Sequence, residues 1–280
     1  MKRWWAAALV GGLGAAIAVI FVVRASQPPA MRFARLGGVQ FSFTIDTFKL
    51  RADELPLVGE HTAGILRKRI DPHGRMGALV TNEPPQRIVV RLPGLTREQA
   101  KDLLPLITQM GRLEFRLVAK EQDQDKLKGM KAGDELGSCT YYPWSVNTER
   151  EVTGAGQGLL VVTNDGYDVT GELLSRAYPS HDESGAPVVG FEFRLEGAKR
   201  FARMTGEHIG ERIAIVLNGE IYSAPVIRSQ ITSSGVIEGI STRKEVDMIV
   251  KVLNSGSLKA PLLLEGEYLV GPAIPKRHWW

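Results

Sequence analysis

The chain has 280 residues, 44% hydrophobic and 24% charged, so it can fill one or two packed domains and is too apolar for wholesale disorder. A formal charge of +4, from 35 basic and 31 acidic residues mixed along the chain, argues against nucleic acid as a partner. The lone cysteine, Cys139, excludes an internal disulfide and a cysteine-based zinc site. Residues 4–23 form a 20-residue stretch without a charge. As a helix rising ~1.5 Å per residue, such a stretch matches the hydrocarbon core of a bilayer. Lys2 and Arg3 before it and Arg24 after it predict a single-pass inner-membrane anchor with a cytoplasmic N-terminus and periplasmic folded domains. A cleaved signal peptide is the competing reading.

Residues 27–35 carry two prolines and read as a linker. Over 39–46, Val39, Phe41, Phe43 and Ile45 alternate with polar residues, the period of a half-buried strand. Residues 57–70 predict a helix through Leu57, His61, Ile65 and Ile70, ended by Asp71-Pro72. Strands over 77–81 and 87–92 flank Glu83-Pro84-Pro85. Thr96 and Gln99 predict a capped helix through Ala100, Leu103, Leu104 and Ile107, kinked at Pro105. A strand over 112–118 then completes a β-α-β-β-α-β order, which is ferredoxin-like. Residues 120–137 are polar and turn-rich and read as an excursion between domains.

A second α+β unit follows. It has a strand over 188–195, then a helix over 196–209 through Ala198, Phe201, Ala202 and Thr205 that Gly210 stops. Residues 212–217 and 220–227 are joined by Asn218-Gly219, which suits the positive φ angles of a two-residue hairpin turn. Thr242 and Glu245 open a last helix through Val246, Ile249, Val250 and Leu253, which Gly256 stops, and a strand over 262–270 follows.

Chemistry is sparse. His61, His73, His181, His208 and His278 have no metal-ligand spacing, and His181-Asp182-Glu183 reads as a solvated loop. Residues 154–158 (GAGQG) lack the lysine of a phosphate-binding loop, and no serine sits in a nucleophile elbow. The expectation is no catalytic residue, no cofactor, no metal and no enzymatic activity. Arg67, Lys68 and Arg69 with Arg75 form a basic patch beside a helix end, read as a solvated face with anionic lipid or a partner protein as the alternatives.

Several blocks carry a family resemblance. Residues 167–177 (YDVTGELLSRA), 197–210 (GAKRFARMTGEHIG), 213–227 (IAIVLNGEIYSAPVI) and 252–262 (VLNSGSLKAPL) resemble SecD subunits of bacterial preprotein translocation in order and spacing. So do residues 65–71 (ILRKRID), 87–94 (RIVVRLPG) and 113–118 (LEFRLV). The resemblance implies an α+β protein: anchor and linker over 1–35, ferredoxin-like base over 36–118, connecting excursion over 119–166, inserted head over 167–261, and a return strand to the base with a C-terminal tail over 262–280. It implies a membrane-anchored accessory module of protein export that binds unfolded preprotein on the outer side. The implied partners also include the Sec translocase channel, a SecF-like subunit and membrane lipid, with no nucleic acid.

Asn218, Gly219, Tyr222, Ser223, Ala224 and Pro225 match the family's signature hairpin, where substrate contact and turn packing are both open readings. Family members continue from a Val-Gly-Pro segment into membrane helices carrying a proton path. Here Val270-Gly271-Pro272 leads only into residues 273–280, so the expectation is a module without its own proton path. Of the motif at the family's paired glycines, only Leu36-Gly37-Gly38 is present, which puts the family's usual partner contacts in question. The rival expectation is an envelope scaffold or solute-binding protein that keeps the fold without an export role.

Overall fold

The computed structural model describes residues 28–127, 129–145 and 158–273. The anchor segment 4–23, most of the glycine-rich loop, His278 and the tail beyond residue 273 lie outside them. No helix among the described residues is long and apolar enough to cross a membrane. The described residues form two compact units, the first running to Ile107 and resuming at Leu262, the second Thr108–Pro261.

In the first unit, α1 (Pro29–Leu36) stands where a linker was expected. Its proline sits at the first turn, where a missing N–H costs nothing. Then come β1 (Gly38–Ile45), α2 (Leu55–Ile70), β2 (Leu79–Glu83), β3 (Arg87–Pro93) and the short helices α3 (Arg97–Lys101) and α4 (Leu104–Thr108). Thr96 caps α3 in the expected capping box with Gln99, and the expected single helix is broken into two before Pro105. Val39, Phe41, Phe43 and Ile45 are fully buried on one face of β1.

The sheet of this unit differs from the expected base in its fourth strand. Its partner on the outer side of β1 is the strand at Leu262–Val270 (β14 in chain order), and the strand order is β14-β1-β3-β2, antiparallel throughout. That is the ferredoxin-like order with a long insertion before its last strand. Leu113–Leu117 (β4), the expected fourth strand, lies in the second unit instead, paired with residues 213–217 and 169–170. The physical reason is burial: β4 is buried on both faces, so it needs covering layers on both sides. Gly37 and Gly38 have φ of 66° and 142°. A Cβ on Gly37 would stand 2.4 Å from the Val270 carbonyl oxygen, and one on Gly38 2.1 Å from that of Leu92, so only glycine lets β1 enter between its neighbours.

In the second unit, β4 is followed by α5 (Glu121–Gln124), β5 (Glu135–Leu136), β6 (Cys139–Pro143), β7 (Gly158–Val162), β8 (Val169–Thr170), β9 (Leu174–His181) and β10 (Pro187–Phe193). Then come α6 (Leu195–Glu207), β11 (Ile213–Leu217), β12 (Glu220–Ser223), β13 (Ser234–Ile237) and α7 (Arg243–Ser255). The sheets are β12-β11-β4-β8, β13-β10-β9 and β5-β6-β7. The last lies within the expected connecting excursion, mostly after its polar part at residues 120–137.

Phe115 of β4 is central to the main core, with ring centroids 5.0, 5.4 and 5.2 Å from Phe191, Phe193 and Phe201. A second apolar cluster on the other side of the β11 sheet joins Ala214, Val216 and Ile221 to Leu159 and Val161 of β7. The β4 face on that side carries buried Glu114 and Arg116, joined through Arg116 Nε and Nη2 to Glu114 Oε2 at 3.0 and 2.9 Å. Asp165 stands 3.6 Å from Arg116 Nη1, so the buried charges are paired.

Side-chain amides occupy the backbone of two edge strands in this unit. Asn254 of α7 accepts from the Ala177 N–H of β9 and donates to its carbonyl, both at 2.8 Å. Gln124 of α5 bonds Leu160 of β7 in the same pattern, at 3.0 and 2.9 Å, sharing the Leu160 carbonyl with the Ala119 N–H. An edge strand's free N–H and C=O groups are a template for unwanted pairing, and an amide with one acceptor and one donor satisfies both.

Candidate functional site

The hairpin singled out from the sequence sits at the turn between β11 and β12. Asn218 and Gly219 have φ of 55° and 86°, the two positive angles the turn requires. A Cβ on Gly219 would meet nothing within 4 Å, so backbone conformation, not crowding, selects glycine there. The Asn218 side chain, though exposed, is engaged. Its Oδ1 accepts from the N–H groups of Gly111 at 2.7 Å and Arg112 at 3.1 Å, and its own N–H donates to the Arg112 carbonyl at 2.9 Å.

Tyr222 is 8% exposed, and its hydroxyl donates to Glu245 Oε1 at 3.4 Å. Burial, first, and the neighbouring Glu245 charge push its phenol up to about 12. Ser223 pairs with Ile215 where the register shifts. The Ala224 carbonyl accepts from Arg212 Nε, and the Pro225 carbonyl from the Ile213 N–H, each at 3.0 Å. The polar groups of this motif therefore hold the hairpin to β4 and β11. Exposed apolar surface begins at the motif's last residue, Pro225, and continues to Val226, 51% exposed. Ile209, 58% exposed, stands beside this stretch because the Gly210 N–H donates to the Ile227 carbonyl at 2.8 Å. Hydrophobicity alone did not single out Val226 or Ile209, since the pattern cannot say which apolar residues a fold leaves uncovered.

The first SecD-like block of the second unit lines a groove of about 500 Å³ with Tyr167, Asp168, Lys199, Arg200 and Arg203 among its walls. The Arg203 guanidinium lies 4.9 Å over the Tyr167 ring. The Tyr167 hydroxyl donates to Glu207 and lies 3.1 Å from His208 Nε2. The hydrogen bond to Glu207 is the main cause that pushes this phenol up to about 12.

The remaining candidates are dispersed. Asp182 holds the turn at residues 182–186, accepting from the N–H of Ser184 and Ala186, and hydrogen bonds to Ser184 and Ala186 lower its carboxyl. Cys139 is half-buried in β6. No group of three or more His, Cys, Asp or Glu side chains among the described residues is arranged to hold a metal ion. The expected basic patch is dismantled. Arg67 donates to the Val80 carbonyl, while Arg69 is 2% exposed and donates to the Leu106 carbonyl at 3.3 Å. Burial lowers the Arg69 guanidinium to about 10, still charged at neutral pH. Only Lys68 and Arg75 of the four are exposed without such a backbone role for their side chains.

Comparison with known proteins matches residues 147–260 to the family described as SecDF, P1 head subdomain, and residues 60–120 to the N-terminal part of the SecDF P1 domain. Protein translocase subunit SecDF of Thermus thermophilus is 33% identical over 92% of this chain and 34% of its own length. Protein translocase subunit SecD of Magnetococcus marinus is 33% identical over 75% of this chain and 39% of its own. The chain thus spans about a third to a half of the length of the curated relatives it matches. Among solved structures, SecDF in its super-membrane-facing form superposes with a TM-score of 0.64 at 31% identity, over 88% of this chain and 32% of that one. A structure described as a membrane component SecDF that enhances protein export gives a TM-score of 0.60 at 31% identity, over 81% of this chain and 98% of that one.

Proposed function

Because this chain belongs to the SecD/SecDF family of protein translocase subunits, we propose that it is a non-enzymatic accessory module of protein export, whose second unit binds unfolded preprotein on the outer side of the membrane. The observation that supports this best is that the likeness covers 88% of the chain, head and base alike, at 31% identity. Capture of a segment that has already crossed hinders backsliding by mass action, with an effect bounded by affinity for unfolded chain. The Sec channel and a SecF-like subunit are the partners that would place the module beside the emerging chain.

Within the second unit, the contact falls on the apolar surface at Pro225, Val226 and Ile209. Asn218, Gly219 and Tyr222 shape that surface and do not touch the substrate themselves. An apolar, exposed and rigidly backed strip suits unfolded polypeptide, which offers apolar side chains without a fixed order. The test is site-specific photocrosslinking during export, with a photoreactive residue at Val226 or Ile209 and a control at Glu183. Adducts with a preprotein arrested in the channel are expected at the first two positions only. Adducts at Glu183 of equal yield would overturn this placement, and co-purification with unrelated envelope proteins and no translocase subunit would favour the scaffold reading.

A further inference from the structure

The first unit presents exposed apolar side chains at the end of its sheet where β1 begins. Gly38 pairs there with Val270 on one side and with Pro93 on the other, so α1, the end of β14 and the end of β3 meet at one edge of the unit. The Ala273 N–H donates to the Ala34 carbonyl at 2.8 Å, tying the segment after β14 to α1. An apolar groove of about 300 Å³ runs between them, lined by Phe33, Leu79 and Val270 among others. Exposed apolar residues at this end are Met31, 52% exposed, and Leu36 on α1, and Leu269, 66% exposed, which precedes Val270 on β14 and points to the other face of the sheet, beside Val39.

Cations surround this cluster. Arg35 lies on α1, and Arg32 donates through Nη1 to the Arg75 carbonyl at 2.8 Å, which brings the turn after α2, with Arg75 exposed, to the same end. Lys68 is exposed in the last turn of α2. The nearby carboxylates are engaged: Asp71 accepts from the N–H groups of Met76, Gly77 and Ala78, and Glu267 pairs with Arg97 at 2.8 Å. Glu98 alone among these acids lies fully exposed, on α3. The uncharged stretch 4–23 ends six residues before α1, too short a tether to carry this end far from whatever holds that stretch.

We infer that this end of the first unit is a membrane-facing surface that inserts Met31, Leu36 and Leu269 into the interface of an anionic bilayer, with Arg35, Lys68 and Arg75 on the lipid phosphates. Apolar residues ringed by cations are the composition of an interfacial contact, and each basic residue near an anionic surface adds attraction. This inference does not depend on preprotein binding.

The test uses the full chain carrying Cys139→Ser, with Leu269→Cys or Met31→Cys labelled by an environment-sensitive fluorophore. It is reconstituted into vesicles of phosphatidylcholine alone or mixed with phosphatidylglycerol, each doped with a quencher-bearing lipid. Strong quenching at both positions is expected in the anionic vesicles, with the double variant Arg35→Glu, Arg75→Glu reducing the bound fraction at least about fivefold. A label at Leu57→Cys, at the other end of α2, should stay unquenched. Absence of quenching at both positions, quenching that ignores phosphatidylglycerol and the arginines, or equal quenching at Leu57 would each overturn the inference. Two label sites keep the result readable if one cysteine disturbs the strand end.

Discussion

Asn254 offers a direct test of the edge-closing amide. It makes two neutral hydrogen bonds of 2.8 Å to the backbone of Ala177. At about 0.5–1.5 kcal/mol net each, they are worth about 1–3 kcal/mol. Asn254 is itself exposed, so in Asn254→Ala water can reach the freed backbone groups, and the loss should sit near the low end, about 1–2 kcal/mol. For a unit of this size that is a fall in Tm of about 2–8 °C.

Asn254→Asp separates the two bonds. The carboxylate can still accept from the Ala177 N–H but places its second oxygen against the Ala177 carbonyl, so at neutral pH it should be less stable than Asn254→Ala. The protonated acid can donate to that carbonyl, which raises the folded-state pKa of the new carboxyl above its unfolded value of about 3.9. A raised folded pKa contributes stability that is full below the unfolded pKa and is lost as pH rises through the folded one. Asn254→Asp should therefore approach the parent near pH 3.5 and drop below Asn254→Ala by pH 7. Thermal melts of the full chain in detergent, followed by circular dichroism and referenced to Asn254→Ala at each pH, read this out. A constant offset between the two variants across that range, or Asn254→Ala melting with the parent, would refute the edge-closing argument.

Three further outcomes are expected. Gly219→Val should destabilise the second unit by about 1–2 kcal/mol while Gly219→Asn costs little, because the site needs a positive φ and has room; equal losses for the two would point to crowding instead. Tyr167 and Tyr222, both pushed up to about 12, should remain protonated in the native state at pH 11, and since folding favours their neutral forms, stability should fall as pH rises from about 10 toward 12. Ultraviolet difference titration of Tyr167→Phe and Tyr222→Phe against the parent checks the assignment, a tyrosinate signal unchanged in the high range by either variant counting against it. Arg69→Met should cost about 2–4 kcal/mol by leaving the Leu106 carbonyl without its donor, whereas Lys68→Met should be near neutral; similar melts for the two would contradict the burial of Arg69.

Local rules were enough for most elements taken singly. The alternation of Val39, Phe41, Phe43 and Ile45 marks β1 because a pleated strand buries every second side chain, and Asn218-Gly219 marks its hairpin because few residue pairs accept two positive φ angles. Thr96 with Gln99 and Thr242 before Glu245 mark helix starts for the same local reason, an unpaired N–H met by a nearby side chain.

Which strands share a sheet is another matter, because pairing joins residues far apart and nothing local distinguishes one hydrophobic partner from another. The return of residues 262–270 to the base was expected, but only the tertiary structure assigned β4 to the second unit, separated Arg69 from the exposed cations beside it, and brought Asn254 to Ala177 across 77 positions. Exposure was likewise beyond the sequence. Leu269 and Val226 are as apolar as their buried neighbours, yet the fold leaves both exposed because the layers that bury those neighbours end before reaching them.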